Sequence, residues 1–318
     1  MSVAAIAIGR NEGARLVTCL ASLARDCAPV IYVDSGSTDG SVEAAEAAGA
    51  HVVALDMSIP FTAARARNEG LNALNSLDSG GEYVQFIDGD CELREGWVAA
   101  ALEAIGADET IAVVCGRRRE RFPDASRWNR LTDAEWDTAI GEAIACGGDA
   151  LMRRAALTDV GGYPADMIAG EEPEMCFRMR AKGWRILRID AEMTWHDAAL
   201  TRFSQWWKRN TRAGHAYAES AARHGGSPER FRVAQVRRAL VWGLGIPALA
   251  VLGGLFVTPW AFLLMLAWPL QALRLAQGGM TLERAWFLTL GKAAEAQGVL
   301  SYHWNRLRGR RRGLIEYK

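Results

Sequence analysis

Five apolar runs of strand length punctuate the first part of the chain, at 3–8, 30–33, 51–55, 83–87 and 111–115, and helical patterns separate the first four. Alternation of this kind predicts βαβ units and a mostly parallel central sheet, an α/β fold. Polar loops follow three of the runs: GRNEG after the first, DSGSTDGS after the second and DGDCE after the fourth. Ligands of open α/β sheets bind beyond the carboxyl ends of the strands, so the three loops are expected to converge on one crevice. Residues 117–145 are polar with helical stretches and read as an insertion lining that crevice. Two further clusters follow, CGGDALMRR at 146–154 and GEEPEMCFRMRAKG at 170–183. The second is punctuated as a helix, with Pro173 in its first turn and Gly183 just past its end, which sets Glu171 and Glu172 at a helix N-terminus.

The pattern changes after residue 223. From 239 to 273 there is no charged residue, and the run is bounded by Arg237 and Arg238 on one side and Arg274 on the other. One helix of that length would measure about 52 Å, against roughly 30 Å for a hydrocarbon core, so a break is required. Pro259 is expected to supply it and to divide the run into a hairpin, with arginines holding both outer ends on the cytoplasmic side. A helical hairpin buried in a soluble domain is the alternative. Residues 281–318 mix apolar positions with Trp286, Trp304 and the basic set Arg306, Arg308, Arg310, Arg311 and Arg312. They read as an interfacial helix with an anionic-lipid-binding end, or else as a solvated tail. The expected organisation is an α/β domain over 1–223 and a membrane-associated helical region over 224–318.

Composition sharpens this division. The net charge of zero hides an asymmetry: residues 1–200 hold 19 Lys and Arg against 32 Asp and Glu, while residues 201–318 hold 18 against 5. An acidic domain joined to a basic, apolar tail argues against a nucleic-acid binder, whose folded domain would carry the basic face, and favours contact with anionic lipid. The six cysteines form no CxxC pair and no zinc-spaced cluster, and read as buried thiols in a reducing cytosol. Arg10 and Glu12 interrupt the first apolar stretch too early for a signal peptide. The α/β domain is therefore expected on the cytoplasmic face of the inner membrane.

Asp88-Gly89-Asp90 ends an apolar strand, where two carboxylates around a glycine can hold a hard divalent cation, Mg²⁺ or Mn²⁺, against a diphosphate. Asp34, with Ser35, Gly36 and Ser37 after it, offers carboxylate, hydroxyl and backbone contacts for a nucleotide. Thr38 or Asp39 could instead cap the helix beginning near Ser41. Glu171 and Glu172 are candidates for a general base, or carboxylates favoured by their helix terminus alone. His196, at the end of a further apolar stretch, could serve as an additional metal or phosphate contact. Trp206, Trp207, Lys208, Arg209 and Arg212 set rings beside cations, which suits a sugar diphosphate or a membrane interface.

Taken in order, GRNEG, VDSGSTDGS, ARARNEGLN (with Arg65, Arg67, Asn68 and Gly70), DGD, CGGDALMRR, GEEPEM and SQWWKR resemble the family 2 glycosyltransferases with the GT-A fold, over about residues 3–215. The resemblance implies an inverting transferase that uses a nucleotide-diphosphate sugar and a divalent metal. It puts Arg10, Glu12, Asp34 and Gly36 in the nucleotide-sugar site, Asp88 on the ribose or sugar side and Asp90 on the metal. It also makes Glu172 the catalytic base with Glu171 as competitor, a glutamate standing where the family usually has aspartate. SQWWKR matches the Gln-x-x-Arg-Trp motif of processive members only loosely, which, with so few membrane residues, favours transfer of one sugar, and the apolar hairpin suggests a lipid-linked acceptor in envelope or exopolysaccharide assembly. The competing functions are a sugar nucleotidyltransferase, which would carry a Gly-rich basic loop after the first strand, and a non-catalytic membrane scaffold.

Overall fold

The computed structural model describes residues 2–77 and 81–310, so Arg311 and Arg312 of the basic tail lie outside the described residues. The chain divides into two compact units, one of residues 1–167 and 171–201, the other of 168–170 and 202–318.

The first unit is built on one sheet. Strands β1 (Val3–Gly9), β2 (Val30–Asp34), β3 (His51–Ala54) and β4 (Tyr83–Asp88) run parallel in the order β3-β2-β1-β4. The side chains of β1 from Val3 to Ile8 are all buried, as parallel strands covered on both faces require. Register then positions the loops: Gly9 lies opposite Asp34 and Ile8 opposite Asp88, so β1, β2 and β4 end level and their three polar loops emerge side by side. Beyond β4 the sheet continues as β4-β8-β6-β9-β5, with β5 (Cys91–Leu93), β6 (Ile111–Glu120), β8 (Ala150–Arg153) and β9 (Arg185–His196), and β7 (Gly141–Ala143) pairs with β9. The β4–β8, β6–β8, β5–β9 and β7–β9 pairings are antiparallel and β6–β9 is parallel.

Two local features set up the site. The helix Ala63–Ser76 begins at Thr62, whose hydroxyl accepts the Arg65 N–H. It lies so close to the sheet that a Cβ at Gly70 would come within 2.4 Å of the Ile6 side chain, which fixes the height of Arg67 three residues earlier. The stretch read as an insertion from residue 117 instead begins as strand, because β6 runs on to Glu120. Its arginines are accommodated by carboxylates: Arg117 pairs with Asp133, Arg119 with Glu192, and Arg118 with Asp88 and Asp149.

The second unit is helical. Helices Phe203–His224 and Leu282–Leu307 meet at glycines on both partners: a Cβ at Gly214 would fall 2.0 Å from the Glu295 carbonyl oxygen, and one at Gly298 2.0 Å from that of Thr211. Between them, a helix over Val233–Phe256 ends at Val257, and Pro259 opens the next, Pro259–Gln277, so the break falls where Pro259 predicts it. Both are long and apolar enough to cross a membrane by length and composition. Only 11% of the tested window of the first and 6% of the second is buried, unlike a hairpin forming the core of a soluble domain.

Candidate active site

Asp88 closes β4 with its carboxylate held by two guanidinium groups, Arg67 Nη2 at 2.9 Å and Arg118 Nη2 at 3.1 Å. Its backbone N–H donates to Asp149 Oδ1 at 3.1 Å. Burial disfavours ionisation of Asp88, but the two arginines outweigh it and hold the carboxyl below its ordinary range. Glycines let the surrounding loops come close to it. A Cβ on Gly148 would lie 2.7 Å from Arg67 Nη2 and 2.9 Å from Asp88 Oδ2, so a side chain there would have to displace the ion pair that the CGGD loop covers. A Cβ on Gly89 would crowd the Ile8 carbonyl oxygen at 3.1 Å.

Asp90 is buried, and its Oδ2 faces Nε2 of His196, the last residue of β9, at 3.4 Å. Two sets of side chains bring potential ligand atoms within 4.8 Å of one another: Asp90, Cys91 and His196, and Asp88, Cys91 and Asp149. The second set already has a cation, since Arg118 places Nε 3.4 Å from Asp149 Oδ2 and Nη2 3.3 Å from Cys91 Sγ. In the first set, Cys91 Sγ lies 3.6 Å from Asp90 Oδ1 and burial raises its pKa, and a thiol is a soft ligand poorly matched to a hard Mg²⁺ or Mn²⁺. What fits a divalent ion is therefore the carboxylate of Asp90 with the imidazole of His196, a hard oxygen and a borderline nitrogen that leave positions open for phosphate oxygens. Trp136 borders this pair, edge-on to His196 at 4.8 Å between centroids and beneath the Arg118 guanidinium at 5.0 Å.

The same Arg67 joins the Asp88 side to the helix Glu171–Ala181, in whose first turn Glu171 and Glu172 stand. Arg67 Nη1 lies 3.1 Å from Glu171 Oε1 and 3.0 Å from Glu172 Oε1, and its ring neighbour is Tyr163, 5.6 Å from the guanidinium carbon. Glu171 is the more deeply buried of the two. Burial and the adjacent Glu171 carboxylate push Glu172 from 4.5 up to about 7, against the opposite pull of Arg67. A carboxyl poised near neutrality can take a proton at neutral pH.

On the other side of the sheet ends, Asp34 is buried with both oxygens engaged: Oδ1 accepts from the Tyr32 hydroxyl at 2.9 Å, and Oδ2 accepts the N–H groups of Gly36 and Ser37, each at 2.9 Å. The carboxylate thereby shapes the loop that presents its backbone and hydroxyls. Gly36 adopts φ +80°, a left-handed conformation that favours glycine. Asp39 accepts from both the N–H and the hydroxyl of Ser41 at the start of helix Ser41–Ala47. Glu12 pairs with Arg15 at 2.7 Å and packs against Gly9 and Gly89, beside the DGD turn, whereas Arg10 is exposed. Asn11 ties the first loop to the second, donating its N–H to Ser37 Oγ and accepting from the Thr38 N–H.

Thus Asp88, Asp90, His196, Glu171 and Glu172 come together around Arg67 and Arg118, with Glu12 beside the DGD turn and Asp34 in the neighbouring loop. Arg118, Asp149 and Trp136 escape the motif reading. Asp149 had a signal in its place within CGGD, but Arg118 lies in a run of three arginines whose members a sequence cannot tell apart. Trp206 and Trp207 belong to the second unit, where Trp206 is buried against Phe287 at 5.4 Å and Trp207 donates to Gln297 at 2.7 Å.

Comparison with known proteins converges on one group. The family described as Glycosyl transferase family 2 matches residues 6–161. A "Pre-mycofactocin glycosyltransferase" of Mycobacterium tuberculosis is 30% identical over 229 residues, 66% of this chain and 45% of that protein, so the chain spans less than half the length of this relative. The "Succinoglycan biosynthesis protein ExoA" of Rhizobium meliloti is 26% identical over 196 residues, 57% of this chain and 58% of that one. Among solved structures, the mannosyltransferase PcManGT from Pyrobaculum calidifontis, in complex with GDP-Man and Mn2+, superposes with a TM-score of 0.65 at 20% identity, over 96% of this chain and 87% of the other. Likeness at that identity is a likeness of fold.

Proposed function

Because the chain belongs to the family 2 glycosyltransferases and has their GT-A fold, we propose that it transfers one sugar, with inversion, from a nucleotide-diphosphate sugar to a lipid-linked acceptor at the cytoplasmic face of the inner membrane, in envelope or exopolysaccharide assembly. The observation that carries this reading is Glu172, a carboxyl raised to about 7 and joined through one guanidinium to the DGD carboxylate Asp88. In the reaction, Glu172 takes the proton from the acceptor hydroxyl as its oxygen forms the bond to the anomeric carbon. The bond from that carbon to the diphosphate oxygen breaks, and the electron pair leaves with the nucleoside diphosphate. Asp90 and His196 would hold a Mg²⁺ or Mn²⁺ ion, whose charge would offset that developing on the leaving group. The loop organised by Asp34, together with Arg10, Glu12 and Gly36, would receive the nucleotide.

Arg67 adjusts the base. An amine at this position reaches fewer of the three carboxylates than a guanidinium fork does, so Arg67→Lys should weaken the pull that lowers the Glu172 pKa. The acid limb of the kcat/KM profile is then expected to move to higher pH, by about one unit, as read from the pH–rate curve. An unmoved limb would separate Arg67 from the base.

The proposed activity is tested by calorimetric titration of the full chain with nucleoside diphosphate sugars, with and without Mn²⁺, followed by an assay of nucleoside diphosphate release. Binding of one donor class that requires the ion, with release stimulated by a polyprenyl-linked acceptor, is the expected result. Failure of every donor to bind in the presence of either ion would overturn it.

A further inference from the structure

The two apolar helices Val233–Phe256 and Pro259–Gln277 are joined by only two residues, Val257 and Thr258. Near that joint the arms touch: a Cβ on Gly253 would come within 2.9 Å of the Ala261 Cβ, and one on Gly254 within 2.5 Å of the Phe262 ring. Thr258 is the one polar side chain at the joint, and the apolar residues of the tip are strongly exposed. Phe256, Val257 and Trp260 are 79%, 82% and 77% exposed. The five consecutive residues Phe262, Leu263, Leu264, Met265 and Leu266 are all exposed as well. Consecutive helical residues point in different directions, so apart from the side on which the arms meet this end is exposed over a broad surface and not along one stripe.

Charge sets the other limit. Arg237 and Arg238 precede the first arm's charge-free part and Arg274 follows the second's, with none between. Residues 239–256 measure about 27 Å at 1.5 Å per residue. The second arm, eight residues of 3₁₀ helix over Pro259–Leu266 and then α-helix to residue 273, measures about 26 Å at about 2.0 and 1.5 Å per residue. These charge-free parts fall a few ångströms short of the roughly 30 Å hydrocarbon core, and far short of the 40–45 Å that includes the headgroups on both sides; the full helices reach a crossing length only by counting their charged flanks. A hairpin anchored by its arginines at one interface therefore ends before the opposite water. A tip of Phe, Val and Trp is stable there and would not be stable in that water.

We infer that residues 239–273 form a re-entrant hairpin, which enters a lipid bilayer from one face, turns at Val257 and Thr258 inside the lipid and returns to the same face without opening to the other side. The inference rests on the membrane reading above and fixes its topology: both flanks, before Arg237 and after Arg274, share one side of the bilayer. The occupant of the exposed surface is lipid, since a broad apolar surface rimmed by arginines matches acyl chains below anionic headgroups.

Cysteine accessibility tests this in the full chain, because the six native cysteines are all buried and contribute little background. Single variants Thr258→Cys, Gly226→Cys and Gly278→Cys are bound from outside to vesicles of phosphatidylethanolamine and phosphatidylglycerol. A membrane-impermeant maleimide is then supplied outside or trapped within. Thr258→Cys should resist both reagents and react only after detergent, while Gly226→Cys and Gly278→Cys react with the outer reagent alone. Reaction of Thr258→Cys with the trapped reagent means a spanning hairpin, and reaction with the outer reagent on vesicle-bound protein means one lying on the surface. Either overturns the re-entrant topology and leaves membrane binding intact. A chain that stays in solution without detergent and does not float with the vesicles overturns the membrane reading itself, and this inference with it.

Discussion

Glu172→Gln is expected to lower turnover by roughly 10²-fold or more while leaving donor affinity little changed, because glutamine keeps the size and hydrogen bonding of the side chain but cannot accept the acceptor's proton. The environment supplies two further readouts. Burial and Glu171 raise the folded-state pKa of Glu172 to about 7, so kcat/KM of the parent enzyme should rise with pH through that value, and the variant should lose this limb. A carboxyl whose pKa is raised on folding contributes stability that is fully present below its unfolded value near 4.5 and is lost as pH rises through about 7. The glutamine variant has no such loss. Its unfolding free energy should therefore exceed the parent's at pH 8, by at most roughly 3 kcal/mol and read as a higher melting temperature, and match it below pH 4. Glu171→Gln behaves differently: removing the neighbouring negative charge lowers the Glu172 pKa, so the limb moves to lower pH and turnover falls little. Near-normal turnover in Glu172→Gln would remove Glu172 from the role of base, and a selective loss in Glu171→Gln would transfer that role to Glu171.

The α/β core was legible because its signals are local. Apolar runs such as VAAIAI and YVQFI have strand length and are buried on both faces, and the polar residues after them stand at strand ends whatever the rest of the chain does. Gly183 and Pro173 bound their helix for the same reason, since backbone geometry and the missing N–H act at the residue itself. What lay beyond local reading is the pairing of charges. Arg67 is one of two arginines in ARARNEG, and only the tight seat of Gly70 on Ile6 selects it to face Asp88, Glu171 and Glu172 while Arg65 turns to the carbonyls of Ile59 and Pro60. In the same way RRRE looks like a solvated polar stretch until β6 is seen to continue through it, with each guanidinium set against a carboxylate distant in sequence. The apolar run 239–273 was legible in extent and in its break, since both follow from composition and one proline, but its exposed tip could be seen only in three dimensions.

Asp90→Asn should abolish metal-dependent donor binding and leave the fold intact. Its carboxylate lies 3.4 Å from the His196 imidazole, and an amide in its place preserves shape while removing the negative charge that a divalent ion requires. Loss of several kcal/mol of charge stabilisation on the leaving diphosphate corresponds to roughly 10³-fold in turnover. Donor affinity measured by calorimetry in Mn²⁺ should fall to the value found with a chelator, while the thermal stability of the free protein changes by less than about 1 kcal/mol. Asp88→Asn supplies the contrast, because that carboxylate holds Arg67 and Arg118 and its loss leaves two buried guanidinium groups less well compensated. Asp88→Asn should therefore lower the melting temperature of the free protein at neutral pH, an effect that Asp90→Asn lacks. Metal-dependent donor binding that survives in Asp90→Asn would remove Asp90 from the ion, and an equal loss of stability in both variants would make Asp90 a structural carboxylate like Asp88.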